Sequence, residues 1–248
     1  MKTVLITGCS SGYGLETARH FHDQGWNVIA SMRTPRDGLL PESDRLHLLQ
    51  LDVSRPDSIA AAVAACGSID VLVNNAGIGL FGAFEATPMT TVREVFETNA
   101  FGVMAMTQAV LPQMRERRSG VVVNVTSSAT LAPMPLVAAY TASKAAVEGF
   151  TGSLAFELAE FNVRVKLVEP GYGPGTQFSA NSGSRLVGLI PPAYAGFAQR
   201  TLASFTRSTA VTTAADVAEV VWRAANDDGT GPLRLAAGAD ALALVDSR

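Results

Sequence analysis

The sequence predicts a doubly wound α/β fold built on a parallel sheet. Strand-like and helix-like stretches alternate from end to end, the pattern of strands joined by crossover helices. The strand-like runs are continuous and rich in β-branched residues, as in strands buried on both faces. A glycine-rich turn also separates the first strand-like run from the first helical one, where such a sheet opens its ligand crevice. The 248 residues are 48% hydrophobic and 17% charged, enough apolar material for a large core. No repeat, charge run or low-complexity linker interrupts them, so one domain over residues 1–248 is expected.

The strand-like runs are Thr3–Thr7, Asn27–Ser31, His47–Leu51, Asp70–Asn74, Val121–Thr126, Val163–Val168 and Pro232–Ala236. Helical patterns fall at about 13–24, 56–66, 90–117, 138–160 and 213–225. Start signals accompany several: Ser54 ahead of Pro56, Thr90 and Thr91, and Thr212 or Thr213 ahead of Asp216. Net charge is −3 with 19 Lys and Arg, so no basic footprint for nucleic acid is present. Arg115, Arg117 and Arg118 end a helical pattern, where cations complement the helix dipole. Cys9 and Cys66 are the two cysteines, too few for a disulfide framework and matching no zinc spacing. His20 and His22 lie two apart on a helical pattern and face apart, so no metal site is expected. The apolar runs fall short of the ~20 residues that span a bilayer. Gly8 ends the N-terminal run too early for a signal peptide. A soluble, cytoplasmic protein without membrane contact is expected.

Taken in order, the first turn reads Thr7-Gly8-Cys9-Ser10-Ser11-Gly12-Tyr13-Gly14. Glycines there let backbone amides and a helix N-terminus approach a phosphate; simple turn punctuation is the alternative. The second strand runs on to Arg33, where an NAD site places an acid. A guanidinium there suits the 2′-phosphate of NADP, or is merely a surface arginine. Asp52-Val53 ends the third strand, fitting an adenine contact or a turn-forming Asp. Asn74-Asn75-Ala76-Gly77 ends the fourth, where small residues and amides let backbone skirt a cofactor. Tyr140 and Lys144 stand one helical turn apart on one face, so Lys144 should stabilise the Tyr140 phenolate and lower its pKa. A tyrosine tuned this way suits general acid/base work.

This ordered set resembles the classical short-chain dehydrogenase/reductase family: Thr7-Gly8-x-x-x-Gly12-x-Gly14, Asn74-Asn75-Ala76-Gly77, Asn99, Ser127, Tyr140-x-x-x-Lys144 and Pro170-Gly171. The resemblance runs from residue 3 to about 176 and implies a Rossmann-type sheet of about seven strands. It implies NADP(H) held by Gly8, Ser10, Ser11, Gly12, Tyr13, Gly14, Arg33, Asp52, Val53, Asn74, Ala76, Gly77, Pro170 and Gly171, with Tyr140 and Lys144. It further implies that Tyr140 protonates the substrate oxygen and that Lys144 binds the nicotinamide ribose. Ser127 would hydrogen-bond the substrate carbonyl. Asn99 would hold a relay water, although a capping or kink role is open because Asn is a mediocre helix-interior residue. The family's carboxamide-binding Thr stands four residues after the Gly; here that position is Gly175 and Thr176 follows, so the Thr176 contact is left open.

Residues 177–208 carry Phe178, Leu186, Leu189, Ile190, Tyr194, Phe197, Leu202 and Phe205, and their charges are all arginine. They read as a hydrophobic lid over a substrate pocket, or as ordinary helix packing, with Ile78–Phe84 and Leu131–Val137 as other walls. The expected substrate is a hydrophobic small-molecule ketone, aldehyde or alcohol. The expected assembly, from the resemblance, is a homodimer or homotetramer through the helices near 92–117 and 140–160. A catalytically silent NADP-binding sensor is the competing class, though it would not need Ser127, Tyr140 and Lys144 together.

Overall fold

The computed structural model describes residues 1–176, 186–207 and 210–246. Phe178 and the other lid positions in 177–185, with 208, lie outside those residues, as does the Phe205 side chain. Seven strands form one sheet: β1 (Thr3–Thr7), β2 (Asn27–Met32), β3 (Leu46–Gln50), β4 (Val71–Asn74), β5 (Gly120–Val125), β6 (Val163–Pro170) and β7 (Arg234–Ala237). The order is β3-β2-β1-β4-β5-β6-β7 and every pairing is parallel. The order reverses between β1 and β4, so the crevice opens at the carboxyl ends of these two strands.

Helices α1 (Gly12–Asp23), α2 (Pro56–Cys66), α3 (Met89–Phe96), α4 (Gly102–Arg117), α5 (Ala138–Ala159), α6 (Ala195–Arg207), α7 (Ala214–Asn226) and α8 (Ala239–Asp246) cover or flank the sheet. Strand alternation divides the core. Val4 and Ile6 of β1 pack with Phe21, Val217 and Val221 from α1 and α7. Leu5 between them points to the opposite layer, with Ile59, Met106, Val110 and Leu154 from α2, α4 and α5. Packing apolar side chains on both faces explains why the strand sequences run without polar alternation.

Each expected strand is present within about two residues of its expected bounds. The helix expected over 90–117 is three pieces: α3, a π-helical turn at Glu97–Phe101, and α4. Of the start signals, Thr213 forms a reciprocal capping box with Asp216 at α7. Ser54 does not cap α2; its hydroxyl and amide both turn back to Asp52 Oδ1, at 2.7 and 3.0 Å, and Arg55 takes the cap position. Thr90 and Thr91 lie inside α3, which starts at Met89 behind Pro88. Helices α6 and α8 carried no start signal that marked them in advance.

Candidate active site

A cleft of about 450 Å³ opens at the carboxyl end of the sheet. Its floor is the turn from β1 into α1, with Gly8, Ser10, Ser11, Gly12 and Tyr13 facing it. The glycines are needed for different reasons. A Cβ on Gly8 would come within 2.8 Å of Ala76 Cα, and one on Gly14 would collide with the Asn75 amide and the Gly8 carbonyl. These two glycines therefore admit the neighbouring β4 loop. Gly12, at φ +58°, has the Thr176 side chain as its nearest neighbour, at 3.4 Å. It leaves open space over the helix start, where amide donors and the positive dipole end favour a phosphate.

The two asparagines after β4 point apart because successive strand residues face opposite ways. Asn74 is buried away from the cleft, donating to Thr107 Oγ1 (3.0 Å) and Asn124 Oδ1 (2.9 Å). Its side chain braces three core elements and is not brought to the expected cofactor site. Asn75 faces the cleft, and its amide donates to the carbonyls of Thr7 (2.9 Å) and Gly8 (3.2 Å). Thr7 Oγ1 in turn accepts from the amides of Asn75 and Ala76, each at 3.0 Å. The floor of the cleft is thus a hydrogen-bonded weave of β1 and β4.

At one end of the cleft stand Arg33, Asp52 and Val53. The Asp52 carboxyl is held below the usual range: burial raises it, but bonds from Ser54 and the charges of Arg33 and Arg55 outweigh that. Asp52 thus both makes a turn and faces the cleft. Arg36, missed in the sequence, donates to the Ser10 carbonyl at 2.6 Å, tying the β2–β3 loop to the glycine turn. Two arginines within four positions after β2 were the available signal. Glu94, Glu97 and Thr98 also face the cleft, which the unbroken-helix expectation concealed.

At the other end are Tyr140 and Lys144. Tyr140 shares a side-chain hydrogen bond with Ser127. Ser127 Oγ accepts from the Ala129 amide at 3.2 Å, as the N-cap of a short 3₁₀ turn at Ser128–Thr130. That arrangement engages its lone pairs and leaves its proton for a phenolic or carbonyl oxygen. Lys144 is 4% exposed and donates to the Val125 carbonyl at 3.0 Å. Its Nζ lies 6.0 Å from the Tyr140 ring centre. The expected lowering of the Tyr140 pKa is reversed here: burial pushes the phenol up to about 12, against a smaller opposing pull from Ser127. Burial likewise pushes Lys144 down to about 8. Desolvation of each charged form outweighs the attraction that helical spacing suggested.

Asn99 is fully buried in the π-helical turn. Its amide closes a two-way clasp on Ile78, accepting from the Ile78 N–H at 2.8 Å and donating to the Ile78 carbonyl at 2.9 Å. It also donates to Ser143 Oγ at 3.1 Å. Its side chain is spent on bracing the cleft wall beside Gly77, whose Cβ would sit 3.3 Å from Asn99 Oδ1 and 3.4 Å from Lys144 Nζ. Pro170, which ends β6, and Gly171 are expected cofactor contacts that are not among the residues lining the cleft. Thr176 reaches it, with its hydroxyl turned to the Gly173 carbonyl at 2.9 Å. The Tyr13 hydroxyl packs against Gly173, and its pKa is raised chiefly by burial, then by Tyr140.

Within the lid segment, Leu189 covers Gly82, and the Ala83 amide donates to the Leu189 carbonyl at 2.9 Å. Leu136, Ala83 and Ala198 form one small apolar cluster with Ile190 and Tyr194 around it. This brings the expected pocket walls together with α6. Among the described residues, no group of three or more His, Cys, Asp or Glu could hold a metal ion. No described helix is long and apolar enough to cross a membrane.

Comparison with known proteins places the geometry in context. A family model described as short chain dehydrogenase matches residues 2–186. The chain is 43% identical to bovine (Bos taurus) "Retinol dehydrogenase 8" over 182 residues, 68% of this chain and 58% of that protein. The chain spans only 58–62% of the length of the first curated relatives it matches. A short-chain dehydrogenase from Streptomyces avermitilis superposes with a TM-score of 0.82 at 35% identity, covering 99% of this chain and 91% of that one. The closed form of serine dehydrogenase complexed with NADP⁺ superposes at 0.80 with 31% identity, covering 95% and 94%.

Proposed function

Because the chain belongs to the short chain dehydrogenase family, we propose that it is an NADP(H)-dependent oxidoreductase. It would interconvert a carbonyl and an alcohol on a hydrophobic small molecule. The observation that carries this reading is the pairing of Tyr140 and Lys144 in the cleft whose floor is the glycine turn, with Ser127 hydrogen-bonded to Tyr140. NADP(H), when bound, supplies or accepts the hydride. The open space over Gly12 suits its phosphates, and Arg33 with Ser10 and Ser11 suits the 2′-phosphate. Asp52 and Val53 suit the adenine. Among the described residues, the Lys144 ammonium donates one hydrogen bond, to the Val125 carbonyl, which leaves donors for ribose hydroxyls.

The chain's own part is proton transfer and placement. Ser127 donates to the substrate oxygen and so orients the carbonyl carbon and steadies charge on that oxygen. Tyr140, kept protonated by burial, gives its proton to that oxygen as the alcohol forms. The named retinol dehydrogenase relative and the apolar cluster of Ala83, Leu136 and Ala198 that joins the lid segment to the loop after β4 favour a lipophilic substrate, of the retinoid or hydroxysteroid kind.

We further infer a homodimer or homotetramer. An apolar groove of about 540 Å³ between α4 and α5, walled by Phe101, Met104, Leu111, Phe150 and Phe161, suits a second copy. A cytoplasmic setting fits two cysteines that are both free thiols.

The test is NADPH oxidation, followed at 340 nm, across aliphatic, aryl, steroid and retinoid carbonyl compounds. Turnover of apolar carbonyls is expected, and no turnover with any of them overturns the reading. Tyr140→Phe is expected to cut kcat by about three orders of magnitude, in line with losing a general acid. Its NADPH binding, read by fluorescence, should be unchanged. Retained turnover would remove Tyr140 from the proton step.

A further inference from the structure

The chain leaves the sheet at Pro170, the end of β6, and returns at Thr212, just before α7. The lid segment lies between. The two ends of this excursion meet: the Thr212 amide donates to the Tyr172 carbonyl at 2.8 Å. Thr212 is 2% exposed. Its hydroxyl accepts the Gly171 amide at 3.0 Å and lies 2.6 Å from Asp240 Oδ1. The other oxygen of Asp240 accepts the Tyr172 amide at 2.6 Å. One carboxylate therefore grips both ends of the excursion, and such charge-assisted bonds are among the stronger ones. It stands in the first turn of α8, where the helix dipole favours a negative charge.

The grip also accounts for Gly171, because a Cβ there would fall on the Asp240 carboxylate. From Tyr172 the turn runs on to Gly173, against which the Tyr13 hydroxyl packs, and to Thr176, which faces the cleft. Tyr13 in turn is close enough to Tyr140 and Asp240 for both to raise its pKa. A continuous path thus joins Asp240 to the end of the cleft where Tyr140 stands. Asp240 itself touches no cleft-lining atom among its described bonds.

We propose that Asp240, with Thr212 as its partner, is a positioning residue that holds the 170–176 turn against the reactive end of the cleft. The proposal rests on the reading of that cleft as a nicotinamide-cofactor site. Asp240 reaches both ends of the excursion: it accepts the Tyr172 amide and meets the Thr212 hydroxyl, whose proton has the Ala237 carbonyl, at 2.9 Å, as its other acceptor. An asparagine could still accept from Tyr172 and donate to the Thr212 oxygen, whereas an alanine keeps neither contact.

The experiment compares Asp240→Ala, Thr212→Val and Thr212→Ser with the unaltered protein. In protein free of cofactor, hydrogen exchange of the Tyr172 amide should quicken at least about tenfold in Asp240→Ala, since the bond that protects it is lost. With NADPH and the best carbonyl substrate, kcat should fall about tenfold while the NADPH dissociation constant moves less than about threefold. The primary isotope effect with 4-deuterated NADPH should rise as hydride transfer becomes slower. Thr212→Val should behave alike, and Thr212→Ser, which keeps the hydroxyl, should restore all three readouts. A merely structural role would lower the melting temperature and leave kcat per folded molecule and the isotope effect as they were; that result overturns the proposal. If Asp240→Ala does not fold, the Thr212 pair decides. If the unaltered protein oxidises no NADPH, the cleft reading fails, while the exchange measurement still judges whether Asp240 orders the turn.

Discussion

Asn74 and Asn75 are neighbours, yet one locks the core and the other meets the cleft. The two-residue period of a strand sets neighbours on opposite faces but does not say which face meets the cleft, so Asn74 was the expected cofactor contact and Asn75 was missed. Gly8 and Gly14 were legible as obligatory glycines, but their partner was not: they admit the Asn75 loop instead of a ligand, and such a contact across 60 residues leaves no local trace. Tyr140 and Lys144 were legible as a pair because helical spacing is local. The direction of the Tyr140 shift was not, because desolvation depends on everything packed around the phenol. Arg33 faces the cleft beside Asp52, just past β2, where an NAD site places its acid. Replacing it with aspartate, Arg33→Asp, should reverse the cofactor preference. We expect kcat/KM for NADPH to fall by about two orders of magnitude, the worth of one lost charge-assisted contact plus repulsion, with NADH favoured. An unchanged NADPH/NADH ratio would take Arg33 out of cofactor selection.

The long helix expected at 90–117 shows where element-level reading stops. Its apolar period continues, but Asn99 reaches sideways to clasp Ile78, and the backbone widens into a π turn over Glu97–Phe101 to let it. Such bulges are frequent at functional sites. The sequence signal was there: an asparagine in a helix interior with a glycine, Gly102, three residues on. A Cβ on Gly102 would fall 2.9 Å from Val53 Cγ2, so α4 begins in close contact with the cleft-lining loop after β3. The same helix carries the groove it shares with α5. If a second copy fills it, Leu111→Arg should turn the assembly into monomers, seen as a halved mass or less by light scattering, with the fold intact by circular dichroism. An unchanged mass would move the interface elsewhere.

Across the whole molecule, the seven-stranded parallel sheet was legible because buried strands alternate with helices along the chain, and the C-terminal third was least legible because its elements are tied by distant side chains. Glu148 of α5, Glu169 of β6 and Arg234 of β7 form one cluster, with Arg234 2.8 and 2.7 Å from the two carboxylates. Burial and then the neighbouring Glu148 raise Glu169 to about 7 from its ordinary 4.5, against the pull of Arg234. The folded chain therefore keeps a proton that the unfolded chain gives up. Its contribution is complete below pH 4.5 and fades as pH rises through 7. Urea midpoints should fall between pH 5 and pH 8, and the fall should shrink in Glu169→Gln; equal slopes in both proteins would exclude Glu169 as the cause. The meeting of Tyr172 with Thr212 has a consequence at the same scale. A stretch of chain clasped at its own base can be exchanged, lengthened or shortened without disturbing the sheet beneath, since doubling such a loop costs only about 0.6 kcal/mol in closure entropy. Changes in the length of the chain between Tyr172 and Thr212 should therefore leave the urea midpoint of the sheet nearly where it was.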